Sequence, residues 1–104
     1  MKVIFLATYT PNALKGLMAG SDRRAAVEAI MQKVGGKIDD MWFTRGEFDV
    51  VVTGNLPDST NVIGVTTALK ASGAFEKAIS LEELNISDVI EVANKAASAY
   101  TPAG

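Results

Sequence analysis

The hydrophobic pattern begins at the second residue and places apolar groups on both sides of a strand. Successive strand residues face opposite sides of a sheet. From Val3 to Tyr9, therefore, Val3, Phe5, Ala7 and Tyr9 point one way, and Ile4, Leu6 and Thr8 the other. Thr10-Pro11 then opens a short helix, with threonine as cap and proline where no amide hydrogen is needed. Gly16 and Gly20 interrupt it, and Ser21 is expected to cap a second helix with Asp22 in its first turn. There Val27, Ile30 and Val34, with Ala26 beside them, form one buried stripe that ends at Gly35-Gly36.

The stretch from Trp42 to Gly54 organises the rest. A strand over 37–44 leads into a short loop at Gly46, which supplies the positive φ of a hairpin turn. A β-branched strand over 49–56 follows, apolar on both faces at Val50-Val51-Val52. Asp49 stands between Phe48 and Val50, and needs hydrogen bonds or a cation to remain charged there. Pro57-Asp58-Ser59 starts a helix with Val62, Val65, Thr66 and Leu69 along one side. Gly73 to Ser80 reads as a shorter, more polar edge strand. Residues 85–100 form an amphipathic helix, with Ser87 as expected cap and Ile86, Val89, Ile90, Ala93, Ala97 and Tyr100 on one face. Residues 101–104 are a frayed tail.

The resulting order is strand, helix, strand, strand, helix, strand and an extra helix, all in one domain spanning 1–104. It is the split βαβ pattern of α+β, ferredoxin-like folds, an antiparallel sheet with its crossover helices on one face. Those helices leave the other face bare, yet the two central strands are apolar on both sides. Either the terminal helix or another subunit has to cover that face. Burying about 500 Å² there is worth roughly 12 kcal/mol by area, before the costs of association.

Composition narrows the chemistry. The chain has 104 residues, 48% hydrophobic and 21% charged, with a net charge of −2. It lacks the basic footprint of a nucleic-acid or membrane-surface binder, so neither partner is expected. Cysteine and histidine are both absent. Thiolate nucleophiles, Cys/His metal centres and histidine acid–base chemistry are thereby excluded. No metal and no cofactor are expected. The apolar run at the amino terminus is too short for a signal peptide, and no uninterrupted apolar stretch is long enough to span a bilayer. A cytoplasmic protein is expected.

Gly46-Glu47-Phe48-Asp49-Val50-Val51-Val52 resembles the signature of the GYD family, small proteins named for a Gly-Tyr-Asp-like motif. Tyr9-Thr10-Pro11, Arg23-Arg24-Ala25-Ala26-Val27 and Gly35-Gly36-Lys37 are similar to the opening of that family, and the similarity runs over about residues 2–80. Phe48 stands where the family has tyrosine, which removes a phenolic hydroxyl there. The resemblance implies a dimeric α+β barrel, in which two ferredoxin-like sheets pack face to face. It implies no particular activity, because barrels of this kind serve as cofactor-independent oxygenases, isomerases and regulatory domains alike.

The candidate site is Asp49 with the aromatic and cationic groups nearest it in the pattern. Asp49 could serve as a general acid or base, or could hold the hairpin by accepting backbone N–H bonds or pairing with Arg45. Tyr9, Trp42, Phe43 and Phe48 could wall a pocket for a planar ligand, with Arg45 near its mouth, or could simply form core. Arg23 and Arg24 could reach a ligand carboxylate or stay at the surface. Two readings follow. In one, the protein binds a small, partly aromatic metabolite between sheet and helices, with or without cofactor-independent acid–base chemistry or oxygenation. In the other, it is a structural or regulatory homodimer whose interface is the point.

Overall fold

The computed structural model describes residues 1–103. Its elements are β1 (Lys2–Tyr9), α1 (Pro11–Met18), α2 (Arg23–Lys33), β2 (Lys37–Phe43), β3 (Val50–Asn55), α3 (Ser59–Ala71), β4 (Phe75–Glu82) and α4 (Ile86–Ala99). The four strands form one sheet in the order β2-β3-β1-β4, every neighbouring pair antiparallel. Each crossover steps over one strand: α1 and α2 carry the chain from β1 past β3 to β2, and α3 carries it from β3 past β1 to β4. This is the ferredoxin-like arrangement that the element order calls for.

Alternation on β1 decides where the core lies. Val3, Phe5, Ala7 and Tyr9 are buried together with Val50 and Val52 of β3, Met31 of α2, and Val62 and Val65 of α3. The strands are therefore packed on their helix side. Gly54 allows the closest approach, because a Cβ there would meet the Lys37 carbonyl oxygen and lie 3.1 Å from Met31 Cε.

The helix starts differ from expectation by small shifts. Asp22, not Ser21, caps α2, accepting from the Ala25 N–H at 3.0 Å. Asn85, not Ser87, caps α4, accepting from the N–H groups of Ser87 and Asp88. In both cases the residue that caps has extended backbone, which lets its side-chain oxygen reach forward to the free amides of the first turn. Thr10 and Asp58 cap α1 and α3 in the same way. Strand β4 runs two residues further than the pattern indicates, to Glu82.

The terminal helix does not cover the bare face of the sheet. Every residue from Leu81 to Ala103 is exposed, all of α4 included. The radius of gyration is 17.4 Å and the long dimension 58 Å, whereas a compact domain of this length has a radius of about 13 Å. Helix α4 is an arm projecting from the body. Residues 101–103 are non-helical and exposed, and Gly104 of the expected tail lies outside the described residues.

Candidate functional site

The β2–β3 connection is stitched to the end of β1. The Asp49 N–H donates to the Ala7 carbonyl at 2.8 Å, and the Thr44 N–H to the Asp49 carbonyl at 2.8 Å. Beyond that point the loop turns away through Gly46, whose φ is +134°. The next amide of β1 facing this way, that of Tyr9, would lose its partner. Asp49 supplies one: its Oδ2 accepts from the Tyr9 N–H at 2.9 Å. The Thr8 hydroxyl donates to the Glu47 carbonyl at 2.6 Å. On the β4 side, Lys77 pairs with Glu47 at 2.7 Å and lies 5.7 Å from the centre of the Phe48 ring.

A buried amide left without an acceptor costs about 1–3 kcal/mol. Asp49→Ala is expected to lose that much in urea denaturation, whereas Asp49→Asn keeps an oxygen acceptor and loses under half as much. Equal losses for the two variants would mean that this hydrogen bond does not hold the hairpin.

Tyr9 lies on the helix side of the sheet, 4% exposed, its ring stacked on Phe75 with centroids 5.3 Å apart. Burial pushes its phenol above the ordinary tyrosine value; the positive charge of Arg23 opposes the rise and the negative charge of Asp49 adds to it. The phenol therefore stays protonated at neutral pH. The space between sheet and helices at this point is an apolar cavity of about 30 Å³, lined by Phe5, Tyr9, Ile30, Met31, Val65 and Phe75 among others. That holds about one water molecule, whereas small-molecule pockets occupy about 300 Å³ or more.

The six candidate ligand residues do not converge. Tyr9 and Asp49 meet through the backbone hydrogen bond just described. Trp42 pairs with Val51 and so faces the opposite side of the sheet from Tyr9. Phe43 pairs with Val50 on the helix side, near Leu17 and Arg23, and is half exposed. Phe48 sits beneath Lys77, and Arg45 is exposed in the loop. Among the described residues no three acidic, histidine or cysteine side chains gather to hold a metal ion.

The side of the sheet away from the helices carries exposed apolar residues. One row of paired residues crosses all four strands: Trp42, Val51, Leu6 and Ile79. The next row contains Asp40, Thr53, Ile4 and Leu81. Trp42 is 45% exposed, Leu81 51%, and Ile4 and Ile79 38% each. The share of β4 in this face was not anticipated, because a strand ending at Ser80 leaves out Leu81. The alternation Ile79-Ser80-Leu81 is the signal that would have shown it.

Sheet order, crossover helices and a bare apolar face define an α+β protein of the ferredoxin-like class. The chain belongs to the GYD domain family, whose model matches residues 3–93. The match extends past β4 into α4, so the first half of the arm is part of the family domain. Two solved structures share the fold. One, described as the crystal structure of FFRP-DM1, has a TM-score of 0.54 and 8% identity, with 80% of this chain and 97% of that one covered. The other, a hypothetical protein PHS023 from Pyrococcus horikoshii, has a TM-score of 0.50 and 9% identity, with 81% and 90% covered. No curated protein sequence matches. No helix among the described residues is long and apolar enough to cross a membrane.

Proposed function

We propose that the chain is an assembly module, a homodimer in which the bare faces of two sheets pack against each other as a dimeric α+β barrel. The carrying observation is the apolar row Trp42–Val51–Leu6–Ile79, which runs unbroken across four strands, with Ile4 and Leu81 next to it in a flanking row shared with Asp40 and Thr53, and Thr8 and Lys77 in the row on its other side. Large contiguous apolar patches on a protein surface mark interaction sites. A second copy presents the same patch, so a twofold arrangement matches apolar surface with apolar surface.

The arm supports the same reading. Ile86, Val89, Ile90, Ala93 and Ala97 form a stripe along α4, opposite Asp88, Glu91 and Lys95, and Tyr100 follows as the C-cap. Isolated helices of this length are marginal in water, and an amphipathic helix is held chiefly by packing its apolar face. The stripe continues from the sheet patch through Leu81 and Leu84, both exposed, and offers the same partner a second surface. The small size of the cavity beside Tyr9, about 30 Å³, favours this reading over a metabolite site between sheet and helices.

Trp42 is the one tryptophan of the chain and lies in the proposed interface. Acrylamide is expected to quench its fluorescence much less in the wild-type protein than in a Leu6→Asp variant whose interface is broken. Equal quenching, with Leu6→Asp folded, would remove the sheet face from the interface.

A further inference from the structure

Arg23 and Arg24 are neighbours with different fates. Arg24 Nε pairs with Glu28 Oε1 at 2.9 Å, one helical turn on, at the surface of α2. Arg23 turns inward and forms no ion pair among the described residues. Its Nε is sealed from solvent and has no hydrogen-bond partner among the described residues. A sealed donor left empty is unfavourable, and a guanidinium is a donor that cannot discard its proton. Met41 and Phe43 line one depression together with this side chain. Arg23 also lines a polar cleft of about 260 Å³, bounded by Asn12, Gly16, Ser21, Ser72 and Gly73 as well.

The walls of the cleft are tied together. The Thr10 N–H donates to the Ala74 carbonyl at 2.9 Å and the Thr10 hydroxyl to the Gly73 carbonyl at 3.1 Å. The Ser21 N–H donates to the Gly16 carbonyl at 3.1 Å. The Ser72 hydroxyl is already used, donating to Leu69 and accepting from Ala74. Among the described residues no group takes up the side-chain donors of Asn12 and Ser21, both of which line the cleft. The cleft thus holds one cation, neutral donors and no carboxylate.

We propose that this cleft binds a small organic monocarboxylate, with the Arg23 guanidinium, swung into the cleft so that its sealed Nε–H gains a partner, as its anchor and Asn12 and Ser21 as neutral donors. A planar guanidinium presents paired N–H groups that match the two oxygens of a carboxylate. A single positive charge balances a monoanion and leaves half of a phosphate dianion unmatched. The site belongs to the helix side and the α3–β4 turn, apart from the bare sheet face, so it stands or falls independently of the dimer.

The test is titration of the folded, full-length protein with sodium propionate while the Arg23 Nε–H resonance is followed by NMR, with sodium chloride at equal ionic strength as reference. The expected result is a saturable shift with half-saturation at roughly 10 mM or below. It should survive in Arg24→Gln, weaken at least tenfold in Arg23→Lys, which keeps the charge and loses the fork, and vanish in Arg23→Gln as followed on the Ser21 and Gly73 amides. Should Arg23→Gln fail to fold, Arg23→Lys decides. Saturation by inorganic phosphate but not propionate would overturn the monocarboxylate assignment. No saturable shift beyond that of chloride, or binding unchanged in Arg23→Lys, would overturn the site.

Discussion

Leu6→Asp is expected to abolish self-association while leaving the fold of each chain intact. Leu6 pairs with Val51 on one side and Ile79 on the other, which places it at the centre of the bare apolar row. Its side chain points away from the helices, so the core made by Val3, Phe5 and Ala7 is untouched. In a twofold interface the substitution occurs twice, and both carboxylates enter an apolar row without a cation, the Lys77 of the flanking row being already paired with Glu47. Burying a charge without a partner is among the most unfavourable changes an interface can undergo. The dissociation constant should rise at least a thousandfold, which corresponds to about 4 kcal/mol. Sedimentation would show it, with circular dichroism confirming the fold. A Leu6→Asp protein that associates as tightly as wild type would place the interface elsewhere.

The second large effect is expected at Gly54. This residue lies in the middle of the sheet, paired with Val3 on β1 and Ile38 on β2. A Cβ there would collide with the Lys37 carbonyl oxygen, with Met31 Cε at 3.1 Å and Ile38 Cα at 3.4 Å. Met31 is fully buried and two of the three neighbours are backbone, so little can give way. Overpacking of well-filled cores costs about 1–3 kcal/mol, and displacing backbone adds to it. Gly54→Ala should therefore lose about 3 kcal/mol or more, a large share of the 5–15 kcal/mol that stabilises a typical domain. Gly64, inside α3, has nothing within 4 Å of the same hypothetical atom. Gly64→Ala should stabilise by about 0.5–1 kcal/mol, because glycine is a poor helix former. Urea denaturation of the pair checks both signs, and a Gly54→Ala protein as stable as wild type would contradict the packing described.

The fold was legible where one physical pattern dominated. The alternation of β1 named the buried set Val3, Phe5, Ala7 and Tyr9, and the apolar faces of β1 and β3 together implied a sheet with an uncovered side. The helix starts at Asp22 and Asn85 were displaced, because several adjacent residues can cap and only the local backbone decides which one does. The site was less legible for a different reason. Trp42 and Phe43 are neighbours in the chain, and a strand sends neighbours to opposite faces, so grouping them as walls of one pocket ran against the period of the element. The bond from Tyr9 to Asp49 joins residues 40 apart in sequence, and no local signal specifies that the loop leaves the Tyr9 amide free. The empty Nε of Arg23 depends in the same way on how α1, α2 and the α3–β4 turn come together. From the sequence, Arg23 and Arg24 look alike.

The central claim is that the bare face of the sheet is covered by a second copy of the chain. The most direct measurement is the molar mass of the wild-type protein by light scattering at micromolar concentration. The expected mass is about twice the 11.0 kDa of one chain. A single species at 11.0 kDa, monodisperse over the whole concentration range, would contradict it.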